Sequence, residues 1–169
     1  MDMRTTERSG FPVQVQGASL TDPISGETYD GRLNYNGAYP YVHVAGIPGG
    51  RQFNPSVFSV PTTADGDGNA PRNFLRGFGE ASTDVAIERV FPLYDRLNLR
   101  FRAEGFNIFN HPNFGELNSD CGTSTAGAPC SNSIMGQAQN TLSDALSGLA
   151  SIYQQGGPRS LQFALKLQF

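Results

Sequence analysis

The segment SLQFALKLQF, residues 160–169, alternates without error: Leu161, Phe163, Leu165, Leu167 and Phe169 fall on one side of the chain, and Gln162, Ala164, Lys166 and Gln168 on the other. Successive side chains of a β-strand point to opposite faces, so this segment has one wholly apolar face and one largely polar face. Two environments accept such a strand: a soluble sheet half-buried on a core, and a membrane barrel with lipid outside and water inside. The rest of the chain has to discriminate between them.

The alternation recurs twice. In the segment 83–91, Val85, Ile87 and Phe91 share a face opposite Asp84, Ala86 and Glu88. In the segment 97–109, Leu97, Leu99, Phe101, Ala103 and Gly105 lie opposite Asn98, Arg100, Arg102 and Glu104. About nine residues is the length a tilted strand needs to cross the hydrocarbon layer. A turn is expected over Pro92 to Arg96, and a bulge or an exit from the bilayer after Gly105, where the phase is lost. Arg89 has the apolar parity; two residues from Phe91, it is expected to snorkel to the interface, where a charge costs roughly 0–1 kcal/mol instead of the ~2–4 of the midplane. FPVQVQG, near 11–17, supplies a further strand.

Two long stretches, 18–82 and 110–158, show turn signals such as IPGG, FNPS and DGDGN but little periodicity, and read as loops. Irregular stretches of this length sit badly inside a compact domain and well outside a barrel. One piece, NTLSDALSGLASIYQQ, has helical spacing and predicts a short helix from about Thr141 to Tyr153. The order long loop, tight turn, long loop matches transmembrane barrels, whose periplasmic turns are short and extracellular loops long. The expected fold is therefore all-β: a partial transmembrane antiparallel β-barrel of about four strands, with the 92–96 turn periplasmic and both long loops extracellular.

Composition agrees. Of 169 residues only 38% are hydrophobic and 16% charged, against about 25% charged in soluble domains, while 20 Gly and 11 Pro supply turns. No run of 18 apolar residues exists, which excludes a transmembrane helix but not a barrel. A net charge of −3 without a basic, aromatic-interleaved stripe gives no nucleic-acid partner. The opening MDMRTTERSG lacks the apolar core of a signal peptide, so an exported chain is expected to be a fragment of something longer.

Three elements, RNFLRG at 72–77, FRAEGFNIFNHPNFG at 101–115 and YQQGGPRSLQFALKLQF at 153–169, together with RQFNPSVF at 51–58, resemble in order and spacing the C-terminal barrel region of TonB-dependent outer-membrane transporters, in the subgroup that often begins with a carboxypeptidase-regulatory-like domain. The resemblance covers roughly residues 51 to 169. It implies a plugged barrel of about 22 strands in the outer membrane of a Gram-negative bacterium, taking up an unidentified nutrient with energy from the TonB system. The implied partners are the rest of the barrel and its plug, the TonB energy-coupling system, the lipid bilayer and the outer-membrane assembly machinery. That machinery reads a terminal aromatic signature, here Leu161, Phe163, Leu165, Leu167 and Phe169. The plug, the partner-binding box and the earlier strands are not found in this sequence, so the chain is not expected to transport alone.

Other motifs are weak. DGDGN resembles a calcium loop but has Ala70 where Gly is needed and Arg76 where Glu is needed, which leaves a solvated turn. His43 and His111 lack partners at catalytic or metal-ligand spacing, and neither GGR nor GFG has the context of a phosphate loop. Cys121 and Cys130 have no metal-ligand spacing around them; a local disulfide in an oxidising compartment stands against two free thiols. No enzyme and no cofactor are expected. Arg100, Arg102, Glu104 and Lys166 would face the lumen, either pairing across strands and holding the plug or lining a substrate path. The competing reading is a soluble secreted β-rich binding or adhesion module.

Overall fold

A computed structural model describes residues 1–21, 25–62, 68–145 and 156–169 of the chain. In chain order the strands are β1 (Asp2–Arg8), β2 (Pro12–Val13), β3 (Gln16–Thr21), β4 (Thr28–Arg32), β5 (Asn34–Tyr35), β6 (Tyr41–His43), β7 (Arg51–Phe53), β8 (Phe58–Ser59), β9 (Leu75–Arg76), β10 (Glu80–Tyr94), β11 (Leu97–Phe106) and β12 (Ser160–Gln168), with one short helix, α1 (Leu142–Ala145). The protein is all-β, and its chain divides into two units.

The first unit comprises Met1–Ser9, Gly79–Gly115 and Thr141–Phe169. Its sheet has the order β1-β10-β11-β12, antiparallel throughout, and it is open: among the described residues β1 and β12 are unpaired edges. β10 and β11 are joined at Asp95 and Arg96, where Asp95 takes φ 38°, a left-handed conformation that Asp tolerates better than most residues. At its other end β11 stops at Phe106, because Asn107 follows with φ 46°. Asn107 is 3% exposed and closes the strand end with its whole amide: Nδ2 donates to the carbonyls of His111 (2.9 Å) and Gly157 (2.8 Å), and Oδ1 accepts from the His111 N–H (3.0 Å). Asp84 Oδ1 accepts from the Asn107 backbone N–H at 2.9 Å. Asn113 repeats the device, accepting at Oδ1 from the Ala81 N–H (2.9 Å) and at its carbonyl from the Leu142 N–H (3.0 Å).

The second unit comprises Gly10–Phe78 and Glu116–Asn140. It is built from two-stranded pieces (β2-β9, β3-β4, β5-β8, β6-β7) around one apolar cluster that includes Val15, Leu33, Phe53, Phe58, Val60, Leu75, Leu117 and Met135. The Cys121–Cys130 disulfide lies inside this core. Cys121 N–H donates to the Gln16 carbonyl and Cys130 N–H to the Phe58 carbonyl, both at 3.0 Å, so the bridge joins two ladders. Gly136, at φ 80°, passes so close to Phe53 that a Cβ would overlap its ring and backbone nitrogen; only Gly fits.

Several expectations need correction. The strand expected near 11–17 is broken into β2 and the start of β3, both in the second unit, and the partner of β10 is β1, Asp2–Arg8. DMRTTER escaped notice because its alternation is polar on both faces apart from Met3. The segment expected over 83–91 runs as Glu80–Tyr94, straight through Pro92. Proline fits there because β1 stops at Ala86 of β10, which leaves the rest of that side without a neighbour needing the missing N–H. The strand expected over 97–109 ends at Phe106, so the phase lost after Gly105 marks the strand's end and not a bulge, and a register irregularity falls between Pro92 and Tyr94. The stretches 18–82 and 110–158 are not simply loops, since most of their length builds the second unit around its buried core. The expected helix is described only as Leu142–Ala145; its remainder, like most of DGDGN, lies outside the described residues.

Candidate membrane face and charged strip

Register assembles the two faces of the open sheet. Leu99 lies opposite Leu167, Phe101 opposite Leu165, and Ala103 opposite Phe163. On the other side of β11, Phe91 faces Leu99, Ile87 faces Ala103 and Val85 faces Gly105, and β1 adds Met3 opposite Val85. Each apolar parity thus falls in phase with its neighbours, and β10, β11 and β12 carry one apolar face, interrupted by Arg89, to which β1 adds Met3. The face is uncovered: Leu161, Phe163, Leu165 and Leu167 are each more than half exposed, and Phe169, just past β12, is 98% exposed. Phe101 and Phe163 stack with centroids 6.4 Å apart. No soluble sheet leaves such a band in water, where each fully exposed Leu or Phe forgoes roughly 1.5–3 kcal/mol of burial.

Arg89 lies opposite Phe101, in the middle of this band, so the expected snorkelling falls to its side chain alone. Its guanidinium sits 5.8 Å from the Phe91 ring, directed along the strand toward the turn end.

The opposite face holds the charges. Arg100, Arg102 and Glu104 of β11 lie in register with Lys166, Ala164 and Gln162 of β12, and with Val90, Glu88 and Ala86 of β10. Glu88 is shared between Arg100 (3.4 Å) and Arg102 (3.8 Å), and Arg102 also reaches Glu104 at 2.6 Å. Arg8 and Glu80 pair at 2.8 Å toward the far end. All four charges singled out in the sequence therefore share one face. Three of them join a single ion-pair chain, and Lys166 stays outside it.

An apolar band backed by a charged face on adjacent tilted-strand lengths is the arrangement of a sheet between lipid and water. A family model described as "Outer membrane beta barrel domain" matches residues 2–162. The chain belongs to the outer membrane beta barrel family. No curated protein and no solved structure gives a match. The location of this barrel domain is the outer membrane, and its four described strands form part of a barrel wall that they do not close.

Sequence reasoning missed two groups. Asn107, Asn110 and Asn113 recur at every third position and all serve strand-end geometry, the Asn110 side chain accepting from the Arg159 N–H at 3.2 Å; that spacing was a usable signal. Arg51 had none. It lies between the Tyr41 and Phe78 rings (4.7 and 4.8 Å) and donates from Nη2 to the carbonyls of Arg76 (3.1 Å) and Gly77 (2.8 Å). It thereby binds the RQFNPSVF and RNFLRG elements to each other. Among the described residues no cluster with metal-ligand composition exists. His43 is exposed against the Gly50 carbonyl, and His111 shares the Asn113 amide oxygen at 3.2 Å.

Proposed function

We propose that the chain is the C-terminal wall segment of a TonB-dependent outer-membrane transporter of a Gram-negative bacterium, non-enzymatic and active only within the whole barrel. The observation that carries this reading is the open two-faced sheet. An apolar lipid face, a charged inner face and two unpaired edges require further strands, because unsatisfied backbone edges do not persist in a bilayer. The β1–β10 and β11–β12 connections leave the sheet at one end and the tight β10–β11 turn closes the other, an asymmetry that supports a periplasmic turn. The RQFNPSVF and RNFLRG elements, joined by Arg51, support the subgroup assignment. In this reading the sheet faces a plug, the TonB system supplies energy through that plug, the assembly machinery folds the barrel, and the nutrient is unidentified.

Two measurements test it. The reading frame upstream of Met1 should encode a plug and many more alternating strands; an export signal directly before Met1 would instead favour a secreted binding or adhesion module, a reading that the disulfide-containing core of the second unit supports. In membrane fractionation the product should stay with the outer membrane until detergent is added. Recovery as a detergent-independent soluble monomer would overturn the barrel reading.

A further inference from the structure

The charged face is one anion short. Between Asn98 and Glu104 the strip carries Arg100, Arg102 and Lys166 against the carboxylates of Glu88 and Glu104. Both carboxylates are used by the two arginines. Lys166 stands directly opposite Arg100, and like charges at opposed positions destabilise a sheet. Among the described residues Lys166 has no ionic or hydrogen-bonding partner, and the Nε–H of Arg100 is buried with none. The next pair on this face, Asn98 opposite Gln168, adds two side-chain amides that are likewise unengaged. An arginine, a lysine and two side-chain amides thus occupy adjacent register positions on one stretch of the face, and all can donate. A small oxyanion held by the Lys166 ammonium would offset the like charge of Arg100 opposite it, since charge-assisted bonds to an oxyanion are the strongest such donors make.

From this we infer that Arg100 and Lys166, framed by Asn98 and Gln168, form a binding point for a small oxyanion of the phosphate class on the inner face of the sheet. The inference rests on the barrel reading, which makes that face the lumen, and assigns the lumen a preference for solutes bearing an oxyanion.

The test uses the 15N-labelled product of the full-length reading frame that contains this chain, in an uncharged, phosphate-free maltoside, with inorganic phosphate as the probe and chloride at matched ionic strength as the control. Circular dichroism comes first: a full-length product without β-structure in micelles overturns the barrel reading and the anion point together. With β-structure present, phosphate should saturate the Arg100 Nε–Hε resonance and the Lys166 and Gln168 amides, while chloride should not. K166Q should weaken the apparent affinity at least tenfold. K166E, which sets a carboxylate opposite Arg100, should abolish saturation while keeping the sheet. Shifts that grow linearly and equally with phosphate and chloride, or saturation unchanged in K166E, would overturn the inference and leave the barrel reading standing.

Discussion

Asn107 and Arg51 hold their surroundings by shape as much as by polarity. Asn107→Asp keeps the size and the tolerance of φ 46° but replaces a donor facing two carbonyls with an oxygen. At a buried site that substitution should cost roughly 2–4 kcal/mol, measured as a lowered urea midpoint in micelles. Arg51→Lys keeps the charge and loses the plane that stacks between Tyr41 and Phe78; a loss of about 1–2 kcal/mol is expected, seen as earlier loss of the near-UV signal of the second unit. Neither role was legible beforehand. A hydrogen bond from Asn107 to Gly157 spans 50 residues, and nothing local in the chain announces a partner so distant.

At the scale of the element, the alternation of β10, β11 and β12 could be read directly, because a period of two survives any tertiary context that keeps one face in an apolar medium. β1 could not, since only Met3 marks its apolar side. The charged strip was legible as a set of residues sharing a face but not as a network, because cross-strand register sets Arg100 opposite Lys166 and diagonal to Glu88. The same register orders the lipid-face predictions. Leu165→Arg, opposite Phe101 at mid-band, should cost about 2–4 kcal/mol and reduce the folded yield in liposomes, whereas Ala164→Arg on the charged face should be nearly neutral there. Arg89→Leu, at the same level of the band, should raise the urea midpoint in liposomes by the converse effect. A destabilised Arg89→Leu would mean that this charge has a partner on the outer face.

For the whole molecule the consequential finding is that much of the length read as loop builds a second unit with its own core. Its apolar positions sit at irregular intervals and reach the core through two-residue strands and tight turns, so no window of the sequence shows a period. Reduction of the Cys121–Cys130 bridge should lower the stability of that unit by about 2–3 kcal/mol and leave the detergent-bound sheet spectrum unchanged. A coincident loss of both signals would show that the units unfold together. The second unit also closes its own necks: Gly77 N–H bonds the Phe11 carbonyl at 2.9 Å, and Gln139 N–H bonds the Glu116 carbonyl at 2.8 Å. Seen as a search problem, each neck changes which encounters the polymer must wait for. Once the Gly77–Phe11 neck forms, the entropy of closing that long excursion has already been met by contacts inside the unit, and β1 and β10, which flank it, meet over a gap of a few residues. A distant encounter between β1 and β10 is thereby recast as one of near neighbours, and their pairing can proceed at the pace of a hairpin.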